Sequence, residues 1–327
     1  MSVSQEQASW FSQAFQQMVG NVDQVVLGKQ HTVRLALTCL LSEGHLLLED
    51  YPGTGKTQLA RAVAGTVQGS SSRIQFTPDL LPSDVTGVTI YDQQTKKFDF
   101  HRGPVFATIV LADEINRASP KTQSALLEVM EEGRVTVDGT THEVGRPFMV
   151  VATQNPIEQA GTYRLPEAQL DRFLVQVEIG YPDRATERAI LLATTGSVQD
   201  RPHRVLDAAA LIEAQALVRA MPVGEAVTAA ILDLVRAARP GEPDAPGWLA
   251  DTLVWGPGPR AAQALMLLTR ARAVLHGRLA PSLDDVAAMA APVLRHRMAL
   301  SFAARARGDG IEAVIARLVE PALGAAA

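Results

Sequence analysis

The stretch LLLEDYPGTGKT, residues 46–57, constrains this chain more than any other. An apolar run breaks into a turn of small residues, and a helical pattern opens at once with Gln58-Leu59-Ala60-Arg61. In such a strand–turn–helix context, backbone N–H groups can close around phosphate oxygens at a helix N-terminus. Pro52, Gly53, Thr54 and Gly55 would form the cradle and Gln58 would carry it into the helix. Lys56 would reach the β- and γ-phosphates of a nucleotide, and Thr57 would offer its hydroxyl to Mg²⁺. Asp50 stands where the usual eight-residue pattern begins with glycine, a departure from the formal motif.

Four further apolar runs, at 73–77, 107–112, 148–152 and 173–179, each lead into a loop or helix. Apolar, β-branched runs without polar alternation fit strands buried on both faces of a parallel sheet. TIVLADE (108–114) delivers two acids to the end of such a strand. Asp113 would belong to the Mg²⁺ shell, and Glu114 would orient and polarise an attacking water. Taken alone, the pair also reads as solvated acids opening a loop. A third run ends at Ala152-Thr153-Gln154-Asn155, where the Asn155 amide either meets the γ-phosphate and the attacking water or forms a turn ahead of Pro156.

The expected fold class is α/β. Its nucleotide-binding domain, a central parallel sheet flanked by helices over 1–182, precedes an all-α lid over 183–327. Helices are expected at 6–20, 29–42 and 120–132, the last opened by Ser119-Pro120 and closed by Gly133. Two segments interrupt the βα rhythm as surface insertions, 86–104 and 134–144, the second folding about Asp138-Gly139 as a hairpin. Helical patterns then run at 184–195, 207–220, 224–239, 260–276, 283–297 and 310–319, with a Pro/Gly-rich loop at 239–259 holding Trp248 and Trp255.

A length of 327 residues with 47% apolar content suggests two domains with an ample core. The balance of 30 basic against 35 acidic residues gives −5, which argues against a chain-wide cationic nucleic-acid binder. A single cysteine, Cys39, excludes an internal disulfide framework, and the seven histidines show no paired ligand spacing, so no protein metal site beyond Mg²⁺ is expected. No run reaches the 18 or so apolar residues of a membrane helix, and the N-terminus lacks a signal-peptide pattern. A cytoplasmic protein without membrane insertion is the resulting expectation. Lys96-Lys97 with His101-Arg102 forms a cationic cluster in the first insertion and reads as a solvated loop.

These strings together resemble an AAA+ ATPase of the MoxR family. The resemblance runs over roughly 25–180 with support to 262, through VVLGKQ (25–30), LLLEDYPGTGKT, VLADEINRASPKTQSALLEVMEE (110–132), VATQNPIEQAGTYRLPEAQLDRF (151–173) and GPGPRAA (256–262). Members of this family commonly carry a residue other than glycine where Asp50 stands. The resemblance implies that Lys56, Thr57, Asp113 and Glu114 are the Walker residues and Asn155 the sensor in the third motif strand. It implies that Val26, Leu27 and Gly28 line the adenine pocket. Arg172 would be the arginine finger reaching a neighbouring subunit's ATP, against the alternative of a surface ion-pair partner. Arg260 would be the lid arginine that senses the γ-phosphate. It follows Gly-Pro-Gly-Pro at a helix start, where a nearby anion would offset the unfavourable dipole. Arg117 and Arg164 read as structural contacts. The two insertions resemble the helix-two insert and pre-sensor hairpin of the AAA+ branch that includes magnesium-chelatase motors and helicases.

ATP and Mg²⁺ are the implied cofactors, and a homo-oligomeric ring, hexameric by resemblance, the implied assembly. Such relatives act as chaperone-like motors that assemble or activate protein clients, sometimes by loading a metal cofactor, with a von Willebrand factor A domain partner. Two alternatives stand beside that reading. One is a nucleic-acid motor of the same branch, which the net charge opposes, and the other is a nucleotide-gated scaffold with little turnover.

Overall fold

A computed structural model describes residues 4–50, 55–155, 162–195 and 202–324. Pro52, Gly53 and Thr54 of the expected cradle lie outside the described residues.

The chain forms two compact units, one over 17–173 and 177–213, the other over 4–16, 174–176 and 214–324. α1 (Gln5–Asp23) begins in the second unit, and the segment to 213 stays with the first.

In the first unit, α2 (Gln30–Leu41) precedes β1 (Leu46–Asp50), and α3 (Lys56–Thr66) starts directly after Gly55, whose φ of 91° closes the turn into the helix. Next come β2 (Ser71–Gln75), α4 (Pro82–Thr86) and the antiparallel pair β3 (Gly87–Asp92) and β4 (Lys97–Arg102). β5 (Ile109–Asp113) leads to α5 (Pro120–Glu132), and β6 (Arg134–Val137) with β7 (Thr140–Glu143) makes the second hairpin. β8 (Met149–Gln154), α6 (Glu167–Leu170), β9 (Val175–Ile179) and α7 (Arg184–Thr195) follow. Both insertions expected from the sequence are therefore hairpins. Phe100 of the first stacks on His142 of the second, with ring centroids 4.0 Å apart.

The five-stranded sheet has the order β2-β5-β8-β1-β9, with β2–β5, β5–β8 and β8–β1 parallel. β5 and the first five residues of β8 are buried throughout, so both faces of these strands are covered and their apolar runs show no alternation. On one face Leu47, Val110, Val150 and Ala152 join Leu126, Leu127 and Phe173 in the core. Because neighbouring strands run in parallel, the ends of β5, β8 and β1 fall along one edge of the sheet, where open α/β sheets place ligands.

The second unit is helical, with α8 (Ala208–Ala220) leading into it, then α9 (Glu225–Ala237), α10 (Pro259–Leu275), α11 (Leu283–Leu294), α12 (Phe302–Arg307) and α13 (Ile311–Gly324). It also holds one short antiparallel ladder, β10 (Leu253–Trp255) with β11 (Ala299–Leu300), inside and beyond the expected loop at 239–259. Its buried carboxylate, Asp285, is clamped by Arg272 and by both guanidinium nitrogens of Arg278 at 2.7 and 2.8 Å, and it also caps α11 through the Ser282 N–H. Burial works against that charge, but the arginine and N–H contacts outweigh it and hold the carboxyl below its usual range. No described helix is long and apolar enough to cross a membrane.

Candidate nucleotide site

β1 and α3 are joined at the same sheet edge to which β5 delivers its last residue, Asp113. The Lys56 Nζ lies 3.3 Å from Asp113 Oδ1, so the first helical residue after β1 and the end of β5, one strand beyond β8, meet as an ion pair. Asp113 is almost fully buried, and both its oxygens are occupied. Thr153 donates its hydroxyl to Oδ1 at 2.8 Å, and Arg73 Nη2 donates to Oδ2 at 2.6 Å. Burial would push this carboxyl up; the contacts from Arg73, Thr153 and Lys56 outweigh it and hold the group below the usual carboxylate range. Asp113 is thus an anion throughout the neutral range.

Glu114 follows in the left-handed region, φ 56° and ψ 50°, a conformation that non-glycine residues adopt at a cost and that is found at functional turns. Its N–H is held by the Thr153 hydroxyl at 2.8 Å, so one threonine fixes both acids through a single oxygen. The Glu114 carboxylate accepts on Oε2 from Gln75 at 3.0 Å and from Arg117 at 2.8 Å. Three cations, Lys56, Arg73 and Arg117, thus pair with the two acids at this edge.

Thr57, half-buried, occupies the second position of α3, and Gln58 beside it is exposed. Asn155 follows directly on β8, half-buried, one residue beyond Gln154, whose amide donates to Glu49 Oε1 at 2.8 Å. Val26 is buried, Leu27 half-buried, and Gly28 adopts φ 71° with its backbone against Thr186 of α7. Arg172 lies between α6 and β9, partly exposed, with Nε and Nη2 both 2.8 Å from Glu131 Oε2. Arg260 is exposed in the first turn of α10, in the helical unit. Arg164 is exposed near Tyr163, whose N–H donates to the Asn116 carbonyl at 2.7 Å.

Lys56, Asp113 and Glu114 are therefore brought together, and Thr57 and Asn155 belong to elements ending at the same edge. Sequence reasoning missed three polar partners: Thr153, Arg73 and Gln75. The signal for Thr153 was a polar side chain at the last buried turn of an apolar strand. For Arg73 and Gln75 it was the period-two spacing around buried Ile74, which turns both toward the β5 end.

Among the described residues no group of three or more His, Cys, Asp or Glu could hold a metal by itself. One buried carboxylate and one helix-start hydroxyl nevertheless suit Mg²⁺, which keeps several waters and completes its shell with substrate phosphates.

A family model described as the ATPase family associated with various cellular activities (AAA) matches residues 45–175, and a model for the AAA lid domain matches 250–318. YeaC of Bacillus subtilis is 43% identical over 307 residues, covering 92% of each chain. The chaperone MoxR1 of Mycobacterium tuberculosis is 41% identical over 303 residues, covering 91% of this chain and 79% of its own. A crystal structure from Cytophaga hutchinsonii is similar with a TM-score of 0.89 at 34% identity, covering 96% of both chains.

Proposed function

This chain belongs to the MoxR family of AAA+ ATPases, and on that premise we propose that it hydrolyses ATP to drive chaperone-like remodelling, assembly or cofactor loading of protein complexes. The observation that carries the reading is the meeting of Lys56 with Asp113 beside Glu114, at the edge where β1, β5 and β8 end. The name of one relative, a chaperone, supports the protein-client side.

In this reading Thr57 and Asp113 hold Mg²⁺, which when bound neutralises charge on the β- and γ-phosphate oxygens. Backbone N–H groups at the start of α3 and the Lys56 ammonium bind and orient the phosphates. Glu114 exchanges its bonds to Gln75 and Arg117 for the attacking water and aligns it in line with the γ-phosphorus. Asn155 holds that water or a γ-oxygen. Arg172, paired with Glu131 in this chain, would exchange that carboxylate for a neighbouring copy's phosphoryl group and so act as its finger. Val26, Leu27 and Gly28 shape the base pocket, and Arg260 reports the γ-phosphate to the helical unit. The working assembly is a homo-oligomeric ring, six-membered by family, cooperating with a von Willebrand factor A domain partner in the cytoplasm.

Steady-state turnover and mass, with and without ATP, test the shared site in wild type and Arg172→Ala. We expect ATP to assemble the wild type, and Arg172→Ala to bind ATP normally while turnover falls on the order of 10³-fold, as for loss of a finger. Unchanged turnover in Arg172→Ala would remove the trans-acting site. ATPase stimulation by DNA that vanishes at high salt would favour the nucleic-acid motor instead.

A further inference from the structure

Asp113, the carboxylate read above as a Mg²⁺ ligand, is already engaged by a cation in this structure. Arg73 stands on β2, the edge strand of the sheet, two residues before the point where Gln75 pairs in register with Asp113. Its Nη2 donates to Asp113 Oδ2 at 2.6 Å and to Gln75 Oε1 at 2.8 Å. The Asp113 side chain is 4% exposed and the Arg73 side chain 51%. A buried anion is thus closed off by a half-exposed guanidinium that reaches it from the edge strand and can return to water at little cost.

We infer that Arg73 is a positioning residue that serves as the resting counter-ion of Asp113 and must yield Oδ2 before Mg²⁺ can use it. This inference rests on the nucleotide-site reading above. Without a nucleotide, a divalent ion would find one carboxylate and one hydroxyl here, too few ligands to displace a charge-assisted bond. With polyphosphate present, the phosphate oxygens add ligands and the exchange becomes favourable. Arg73 therefore makes the cation's entry conditional on the nucleotide and keeps Oδ2 of a buried carboxylate satisfied between turnovers. Lys56 and Thr153 stay on Oδ1 and preserve the carboxylate's orientation while Oδ2 changes partner.

The test is equilibrium binding of a fluorescent ATP analogue to wild type and Arg73→Ala, first in EDTA and then across a Mg²⁺ titration. Thermal melting in EDTA checks that the variant folds, and Arg73→Lys, which keeps the charge but not the fork, is the conservative comparison. Removing the competitor should lower the Mg²⁺ concentration for half-maximal binding about 3–10-fold, as loss of a partly exposed charge-assisted bond would. Arg73→Lys should fall between the two. A merely structural role would shift melting and leave the Mg²⁺ midpoint where it was. An unchanged or higher midpoint in a folded Arg73→Ala overturns the inference alone. Failure of the wild type to bind the analogue under any condition overturns it together with the nucleotide-site reading.

Discussion

Gly28 turns at φ 71°, and a Cβ placed there would lie 2.2 Å from Thr186 Cγ2, so strain and overlap act together at one position. Gly28→Ala should lower stability by about 1–3 kcal/mol in denaturant unfolding and weaken ATP binding. Adding Thr186→Ala should return only the part due to overlap, since the backbone strain remains. At this scale much of the site could be read in the sequence. Lys56, Asp113 and Glu114 stand in short motifs at the ends of apolar runs, and the parallel order of β1, β8 and β5 brings those ends to one edge. Arg73, Gln75 and Thr153 could not be read that way, because their partners lie 39–40 positions away and are met only through strand register. Glu131, the surface partner of Arg172, is hidden for the same reason.

His45 ties the entry of β1 to two other elements. Its Nδ1 accepts from the Val150 N–H of β8 at 3.0 Å, so Nε2 carries the proton and donates to the Met130 carbonyl of α5 at 3.0 Å. Burial pushes the ring down to about 4 from its ordinary 6.5, with the Met130 bond opposing. The Val150 N–H requires an unprotonated Nδ1 and hence the neutral ring. Above pH 6.5 the folded and unfolded chains agree and the stability is fully present. Between pH 6.5 and about 4 the unfolded chain gains a proton that the folded chain refuses, so stability falls as pH falls, by up to about 3 kcal/mol. Denaturant unfolding from pH 7 to pH 4.5 should show His45→Gln less stable than wild type at neutral pH but with a shallower decline. Parallel curves would remove His45 from the acid response. Elements with strong end signals were the most legible: α5 and α7 match the expected 120–132 and 184–195. Strand ends moved by about two residues, as β2 did from 73–77 to Ser71–Gln75. β10 and β11, three and two residues long, leave no periodicity to read, and α12 (FAARAR) is too short and too basic to announce a buried face. The expected helix 283–297 ends at Leu294, and its last residues form a separate 3₁₀ turn.

For the whole molecule, the apolar runs and the helical patterns after 183 were enough to specify an α/β unit and a helical one. The chain's path was not so clear. The first turns of α1 and residues 174–176 belong to the helical unit, which no composition shift marks. Lys56, Arg73 and Arg117 gather cations at one edge despite a net charge of −5 for the chain, since local arrangement rather than the total decides which groups a polyphosphate meets. The central claim is that this edge hydrolyses ATP with Glu114 aligning the water. The most direct measurement is single-turnover hydrolysis of Mg²⁺-ATP by wild type and Glu114→Gln, with bound nucleotide identified after isolation of the protein. We expect the wild type to release ADP, and Glu114→Gln to retain intact ATP with hydrolysis slowed at least about 10²-fold, the scale of a lost general base. Hydrolysis by Glu114→Gln at the wild-type rate, or a wild type that binds ATP and never cleaves it, would contradict the account.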